Sequence, residues 1–207
     1  MKVFGKQIDK QWFENYWYYY KKHTFVGIFI LFIISYTAVE CSKNVDPDVS
    51  VLYIGSTYFD NEFADKLEQR LSDCIEDINN DGVIKVQFSP IFISDEMKSE
   101  QDFAMQQKMQ LEVAVGDSYL YLLDKKYYES YAKQDLFVDI SPYIDANEPT
   151  YGLDAYDSPI LQELGIKNDS QIYVAIRVLT QGDEKKQKKT ANQVNAINII
   201  KELYKND

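Results

Sequence analysis

Between residues 77 and 82 the chain reads DINNDG, which sets Asp77, Asn79 and Asp81 at alternate positions ahead of Gly82 and the apolar Ile84. Side-chain oxygens at the first, third and fifth places, with glycine at the sixth, open a calcium loop of the form D-x-[DN]-x-[DN]-G. The twelfth place, where a bidentate glutamate closes such a loop, is Phe88. Three oxygen donors then remain for an ion that takes about six to eight. Asn and Asp before a glycine are equally the chemistry of a helix-ending turn. Asp77, Asn79 and Asp81 are therefore candidate calcium ligands, with a plain turn as the competing reading.

A second chemistry is stacking. Tyr119, Tyr121, Tyr127, Tyr128 and Tyr131 fall in one short stretch, where they can meet a carbohydrate ring or a partner surface, or fill core and rim. Met97, Met105 and Met109 invite a copper or adaptable-binding role, but methionine at helical spacing serves first as core filling. Catalysis has little to work with. The only histidine is His23, Cys41 and Cys74 lack a paired histidine, and no serine, cysteine or lysine sits in a nucleophile motif. No glycine-rich phosphate loop is present. No catalytic residue, bound cofactor or disulfide is expected.

These residues need elements to hold them, and the chain's organising stretch is Thr24 to Val39, TFVGIFILFIISYTAV, without a charge. At about 1.5 Å of rise per residue, residues 24–41 cover most of the roughly 30 Å core of a bilayer. Trp17, Tyr18, Tyr19 and Tyr20 precede it at the position of an interfacial belt. The residues ahead of the apolar run argue against a cleaved signal, and Glu40 before Cys41 argues against lipidation. Lys2, Lys6, Lys10, Lys21 and Lys22 lie before it, whereas Lys43 faces Asp46 and Asp48 after it. The positive side stays inside. The expectation is a single-pass protein of the cell membrane: a cytoplasmic segment 1–23 with Trp12 and Trp17 at the interface, a transmembrane helix 24–41, a short linker 42–48 and an extracellular domain 49–207.

Of the 22 Lys and Arg and 33 Asp and Glu, five lysines and three acids fall in residues 1–41, leaving 17 against 30 and a net charge near −13 beyond them. That sign repels nucleic acid and anionic headgroups. Within the outer part, the pattern predicts a strand over 49–55, an amphipathic helix over 60–78 and a strand over 83–88, a β-α-β opening. A helix over 94–114 with Ser94 as its cap, a strand over 119–123 and a short helix over 125–133 follow. Next come a helical turn near Pro159, a strand over 171–179, a charged loop 181–189 and a closing helix over 190–204. Val194, Ile197, Ile200 and Leu203 are expected to form the inner face of that last helix, with Ala191, Ala196 and Ile199 broadening it.

The order Ala114-Val115-Gly116-Asp117, an apolar strand ending Leu123-Asp124, a helix with Tyr127-Tyr128 and Tyr131-Ala132, then the run from Leu136 through Ser141-Pro142-Tyr143-Ile144, resembles the first lobe of bacterial extracellular solute-binding proteins of ABC importers. The resemblance spans roughly residues 49–145. It departs where Ser118 runs straight into Tyr119 without the family's Pro-Asp, in offering one lobe instead of two, and in its transmembrane anchor. It implies an α/β chain: a transmembrane helix followed by one three-layer α/β domain like one lobe of a periplasmic binding protein. The expected role is binding, with the loops after Gly55, Ser89 and Asp124 forming either an open polar cleft or a flat apolar patch. Expected partners are the lipid bilayer through residues 24–41 and other membrane proteins or a transporter, with capture of a carbohydrate or peptide as the alternative. A membrane-bound hydrolase is a weaker third reading.

Overall fold

The computed structural model describes residues 2–3, 6–7, 10–43, 46–94, 99–144, 146–180 and 187–205. The chain separates into two compact units, Met1–Val45 and Asp46–Asp207. Met97 and residues 181–186 of the charged loop lie outside the described residues.

In the first unit, β1 (Lys2–Val3) pairs antiparallel with β2 (Lys6–Gln7), and α1 runs over Lys10–Lys43. One helix carries both the aromatic lead-in and the apolar stretch, because 34 residues hold no proline and one glycine, Gly27. Thr24 and Thr37 donate their hydroxyls back to the carbonyls of Tyr20 and Ile33, each at 3.0 Å. Among the described residues, no helix is long and apolar enough to cross a membrane. The span expected over 24–41 is thus not established by the structure. Its side chains are described for residues 24–37, about 21 Å of helix, with Lys21, Lys22 and His23 immediately before them. Ser42 and Lys43, expected in a linker, belong to α1.

In the second unit, β3 (Val49–Gly55), α2 (Asn61–Ser72) and β4 (Val86–Phe92) form the expected β-α-β opening, and β3 and β4 pair parallel from Val49↔Val86 to Gly55↔Phe92. After α3 (Glu100–Val115), β5 (Leu120–Asp124) pairs parallel with the other side of β3. Then come α4 (Lys125–Ala132), β6 (Leu153–Asp154), α5 (Pro159–Glu163), β7 (Ile172–Ile176) and α6 (Gln187–Leu203). The sheet order is β4-β3-β5-β7-β6, with β7 antiparallel to β5 and to β6.

Side chains alternate across this sheet and fill two cores. On one face Val49, Val51, Tyr53, Leu120, Leu122 and Val174 pack against Phe63, Leu67 and Leu71 of α2, Leu161 of α5, and Ile199, Ile200 and Leu203 of α6. On the other, Leu52, Ile54, Tyr121, Leu123 and Ala175 pack against Met105 and Met109 of α3 and Tyr127, Tyr128 and Tyr131 of α4. Helices on both faces make three layers, and β3 and β5, covered on both, read as continuous apolar runs for that reason. The described methionines fill core.

Several boundaries differ from the sequence reading for identifiable reasons. The helix expected over 60–78 stops at Ser72, where the amide of Cys74 donates to the carbonyl of Leu71 at 3.0 Å. The backbone then passes buried Asn195, whose side chain accepts from Glu76 N–H at 3.2 Å and donates to its carbonyl at 2.9 Å. The strand expected over 83–88 begins at Val86, with Val83 and Ile84 exposed, and runs through Pro90. Proline is tolerated there because β4 is an edge strand. Glu68 also accepts the N–H of Phe88 at 2.7 Å, so two neighbouring outward positions on that edge offer no donor to another strand. The third helix begins at Glu100, capped by Ser99 and not by Ser94; Ser99 and Asp102 exchange the bonds of a capping box. In α6 the inner face is Asn192, Asn195, Ala196, Ile199, Ile200 and Leu203, and Val194 is exposed. Ala196, Ile199, Ile200 and Leu203 lie on the expected face, and the two buried asparagines shift it so that Val194 is left outside.

Candidate functional site

After β3 the chain crosses into α2 on one face of the sheet; after β5 it turns into α4 on the other. Strands that part in this way leave a crevice beyond their carboxyl ends, where ligands of open α/β sheets sit. The loops after Gly55 and Asp124 do meet here, whereas Ser89, expected beside them, lies inside β4.

The crevice is closed by the chain's own groups. Asp124 accepts from Ser56 N–H at 2.7 Å and from the Ser56 hydroxyl at 3.0 Å through Oδ2, and from the Tyr53 hydroxyl at 2.9 Å through Oδ1. Tyr53 in turn accepts from Thr57 N–H at 2.8 Å. Burial, with the Asp124 carboxylate adding to it, pushes the Tyr53 phenol well above its ordinary range, so it stays a donor. Gly55 is required at this approach: a Cβ there would collide with the Asp124 carboxylate and the Tyr53 hydroxyl. Asp124 also stands at the N-cap of α4, yet its side chain makes no capping bond. The carboxylate serves the loop instead of the helix. Replacing Asp124 by Ala should therefore lower stability by about 2 kcal/mol, three donors losing a charged acceptor. Faster amide exchange at Ser56 and Thr57 than in the parent is the reading that checks it.

Beside this knot lies an open cavity of about 380 Å³, between Thr57 to Asp60 with Phe63 on one side and Leu164 to Lys167 with Ser170 on the other. Phe59 stacks on Phe63 with centroids 4.2 Å apart and meets Tyr53 edge-on at 4.8 Å. Tyr58 is 78% exposed at the mouth. The opposite wall turns at Gly165, whose φ of +110° suits glycine. Leu164 also lines a second depression of about 510 Å³, formed with Lys66, Gln69, Arg70, Asp73 and Glu163.

The sequence-derived residues fall elsewhere. Asp77 accepts from Asn80 N–H at 2.7 Å and Gly82 N–H at 2.9 Å, Asn79 from Asp81 N–H at 2.9 Å, and Asp81 from Val83 N–H at 2.8 Å. These oxygens shape a turn in which Asn80 and Gly82 take φ of 57° and 83°. Among the described residues, no group of three or more His, Cys, Asp or Glu side chains is placed to hold a metal ion. Tyr119 and Tyr121 are core, not rim, at 2% and 0% exposure, and burial pushes the Tyr121 phenol up to about 12. Tyr127, Tyr128 and Tyr131 are half-buried against the second core. Tyr128 stacks between Tyr173, at 4.6 Å, and Phe137, at 5.6 Å.

The sequence reading expected the loop after Gly55 to line a cleft or present a patch without singling out Ser56 to Asp60, and assigned no role to Gly165 to Ser170. Gly55 ending an apolar run was the available signal for the first loop; nothing local marks the second as its neighbour. The chain matches no protein-family model, no curated protein and no solved structure.

Proposed function

We propose that the chain is a single-pass, membrane-anchored binding or protein-interaction module, whose α/β domain resembles one lobe of a solute-binding protein and faces the outside of a bacterial cell. The observation that carries the anchor is α1. Phe25, Val26, Ile28, Phe29, Leu31 and Ile34, which together cover every side of the helix, are each 56–65% exposed. An apolar helix exposed all round finds its natural solvent in lipid. Lysines before it and acids after it support a cytoplasmic amino terminus. Binding, not conversion, is the role the cavity beside β3 supports, since it pairs aromatic walls with a few polar groups. Its size keeps the alternative in view, capture of a small carbohydrate or peptide.

Cysteine accessibility tests the topology. In a chain with Cys41→Ser and Cys74→Ala, a membrane-impermeant maleimide should label Glu129→Cys in intact cells and Lys6→Cys only after lysis. The reverse pattern, or labelling of neither before lysis, would remove the outward-facing domain.

A further inference from the structure

We infer that the outer face of α3 pairs with the same face of a second copy of this chain, the two helices running antiparallel with Gln107 at the two-fold axis. This rests on the reading of the chain as an interaction module and names the partner.

α3 is apolar on both sides. Met105 and Met109 pack on the second core, while Phe103 and Leu111 are 55% and 62% exposed. A helix covered on one face ordinarily turns charge to water with the other. From Phe103 to Leu111, however, the one charged residue is Lys108. Phe103, Gln107 and Leu111 follow at steps of four, the row that most often packs into the groove of another helix. Ala104 and Ala114 are small and exposed beside that row, so a second backbone can come close.

The row reads alike in both directions, apolar, amide, apolar. Turned end for end about Gln107, a second copy sets its Leu111 on Phe103 and its Phe103 on Leu111, the reciprocal contact of an isologous interface. Gln107 then meets its own image. An amide both donates and accepts, so two glutamines satisfy each other where two lysines or two glutamates would repel. A parallel pair would set Glu100 against Glu100 and Lys108 against Lys108, and would align the two helix dipoles. Charge also favours this face for two copies of one acidic domain. The domain's net charge is near −13, yet residues 103–111 hold no acid, so repulsion between copies is least there. A lipid surface is the poorer occupant, because a helix that lies on lipid carries Lys and Arg along its polar border. A small molecule finds no concavity on a convex helix. One helix from each copy makes a small interface, and confinement to one membrane supplies the effective concentration that it needs.

The test is oxidative cross-linking of the full chain in membranes, in a background of Cys41→Ser and Cys74→Ala. Gln107→Cys should give a disulfide-linked species of twice the chain's mass. Gln69→Cys, exposed on α2 at the opposite face of the sheet, should not. Phe103→Cys and Leu111→Cys expressed together should cross-link more than either alone, as antiparallel helices require. Leu111→Arg added to Gln107→Cys should lower the cross-linked share about tenfold or more, with the circular-dichroism spectrum of the parent. No dimer at Gln107→Cys, as much dimer at Gln69→Cys, more dimer from Phe103→Cys alone than from the mixed pair, or a dimer that survives Leu111→Arg would each overturn the inference. A cross-linked product of any other mass would assign the face to a different protein and overturn it too. Maleimide labelling on the same cells separates the two readings. Loss of the dimer with the labelling pattern intact removes this partner and leaves the anchored module, and the converse removes the anchor alone.

Discussion

Arginine at both Ile30 and Ile33 should release the protein from the membrane. The two positions lie three residues apart on one side of α1, near the middle of the apolar stretch, and are 49% and 43% exposed. Each arginine at the centre of a spanning helix costs about 2.5–3.5 kcal/mol. Together that is about 5–7 kcal/mol, more than a thousandfold against insertion. The measurement is the share of chain retained in carbonate-washed membranes, where the parent should remain in the pellet and the double variant should not. Tyr18→Arg is the control. Tyr18 precedes the apolar stretch and is 75% exposed, where an arginine reaches headgroups and should leave retention unchanged. A double variant retained as fully as the parent would mean that α1 is not held by lipid.

What the sequence discloses and what it hides divide along a physical line. VSVLYIG, bounded by a polar stretch and a glycine, was legible as β3 because burial on both faces leaves an unbroken apolar run. The core stripe of α2 was legible too, since Phe63, Leu67 and Leu71 repeat at helical spacing. Buried polar residues were not. Asn192 and Asn195 of α6 face inward, and Asn195 is there because it bonds the backbone at Glu76; a hydropathy pattern assigns asparagine to solvent and so places Val194 on a face that it otherwise reads correctly from Ala196, Ile199, Ile200 and Leu203. The same blindness affects the end of α2 and the start of β4. Both are set by distant side chains, Asn195, 119 residues from Glu76, and Asp48, 37 residues from Lys85.

The candidate site was legible only in outline. Topology places the ends of β3 and β5 at a switch point, and the β-α-β pattern announces as much. That Asp124 would seal the crevice depends on its declining to cap α4 in favour of Ser56 and Tyr53, a choice between two sets of donors that spacing does not decide. The backbone N–H and hydroxyls that a ligand would find between β3 and β5 already hold an internal carboxylate, so the open space at this end of the sheet lies to the side, in the aromatic cavity. There the second wall, Leu164 to Lys167, comes from more than a hundred residues along the chain. The tyrosines drew attention by number, yet Tyr119 and Tyr121 lie under the helices, while Tyr58, alone in its loop, stands at the mouth.

Asp48→Ala should be the most destabilising exchange of a polar side chain in the α/β domain. Residues 42–48 read as a polar linker, but Asp48 is 0% exposed. Its Oδ1 accepts from Ile78 N–H at 3.0 Å and its Oδ2 from Lys85 N–H at 2.9 Å, while its own N–H donates to the Lys85 carbonyl at 2.8 Å. One carboxylate thus fixes both ends of the turn that carries Asp77, Asn79 and Asp81, and Asn195 adds a contact to the Asp48 carbonyl at 3.5 Å. Alanine leaves two amides without acceptors, at about 1–3 kcal/mol each, so about 2–6 kcal/mol in all. That is a large part of the roughly 5–15 kcal/mol available to a domain. Asparagine keeps one acceptor oxygen and should lose about half as much. Urea unfolding of the two variants beside the parent checks the order parent, Asp48→Asn, Asp48→Ala, and amide exchange should locate the loss at Ile78 and Lys85. An Asp48→Ala protein as stable as the parent would mean that the turn holds its shape through its own Asx bonds, independent of the residue that joins it to β3.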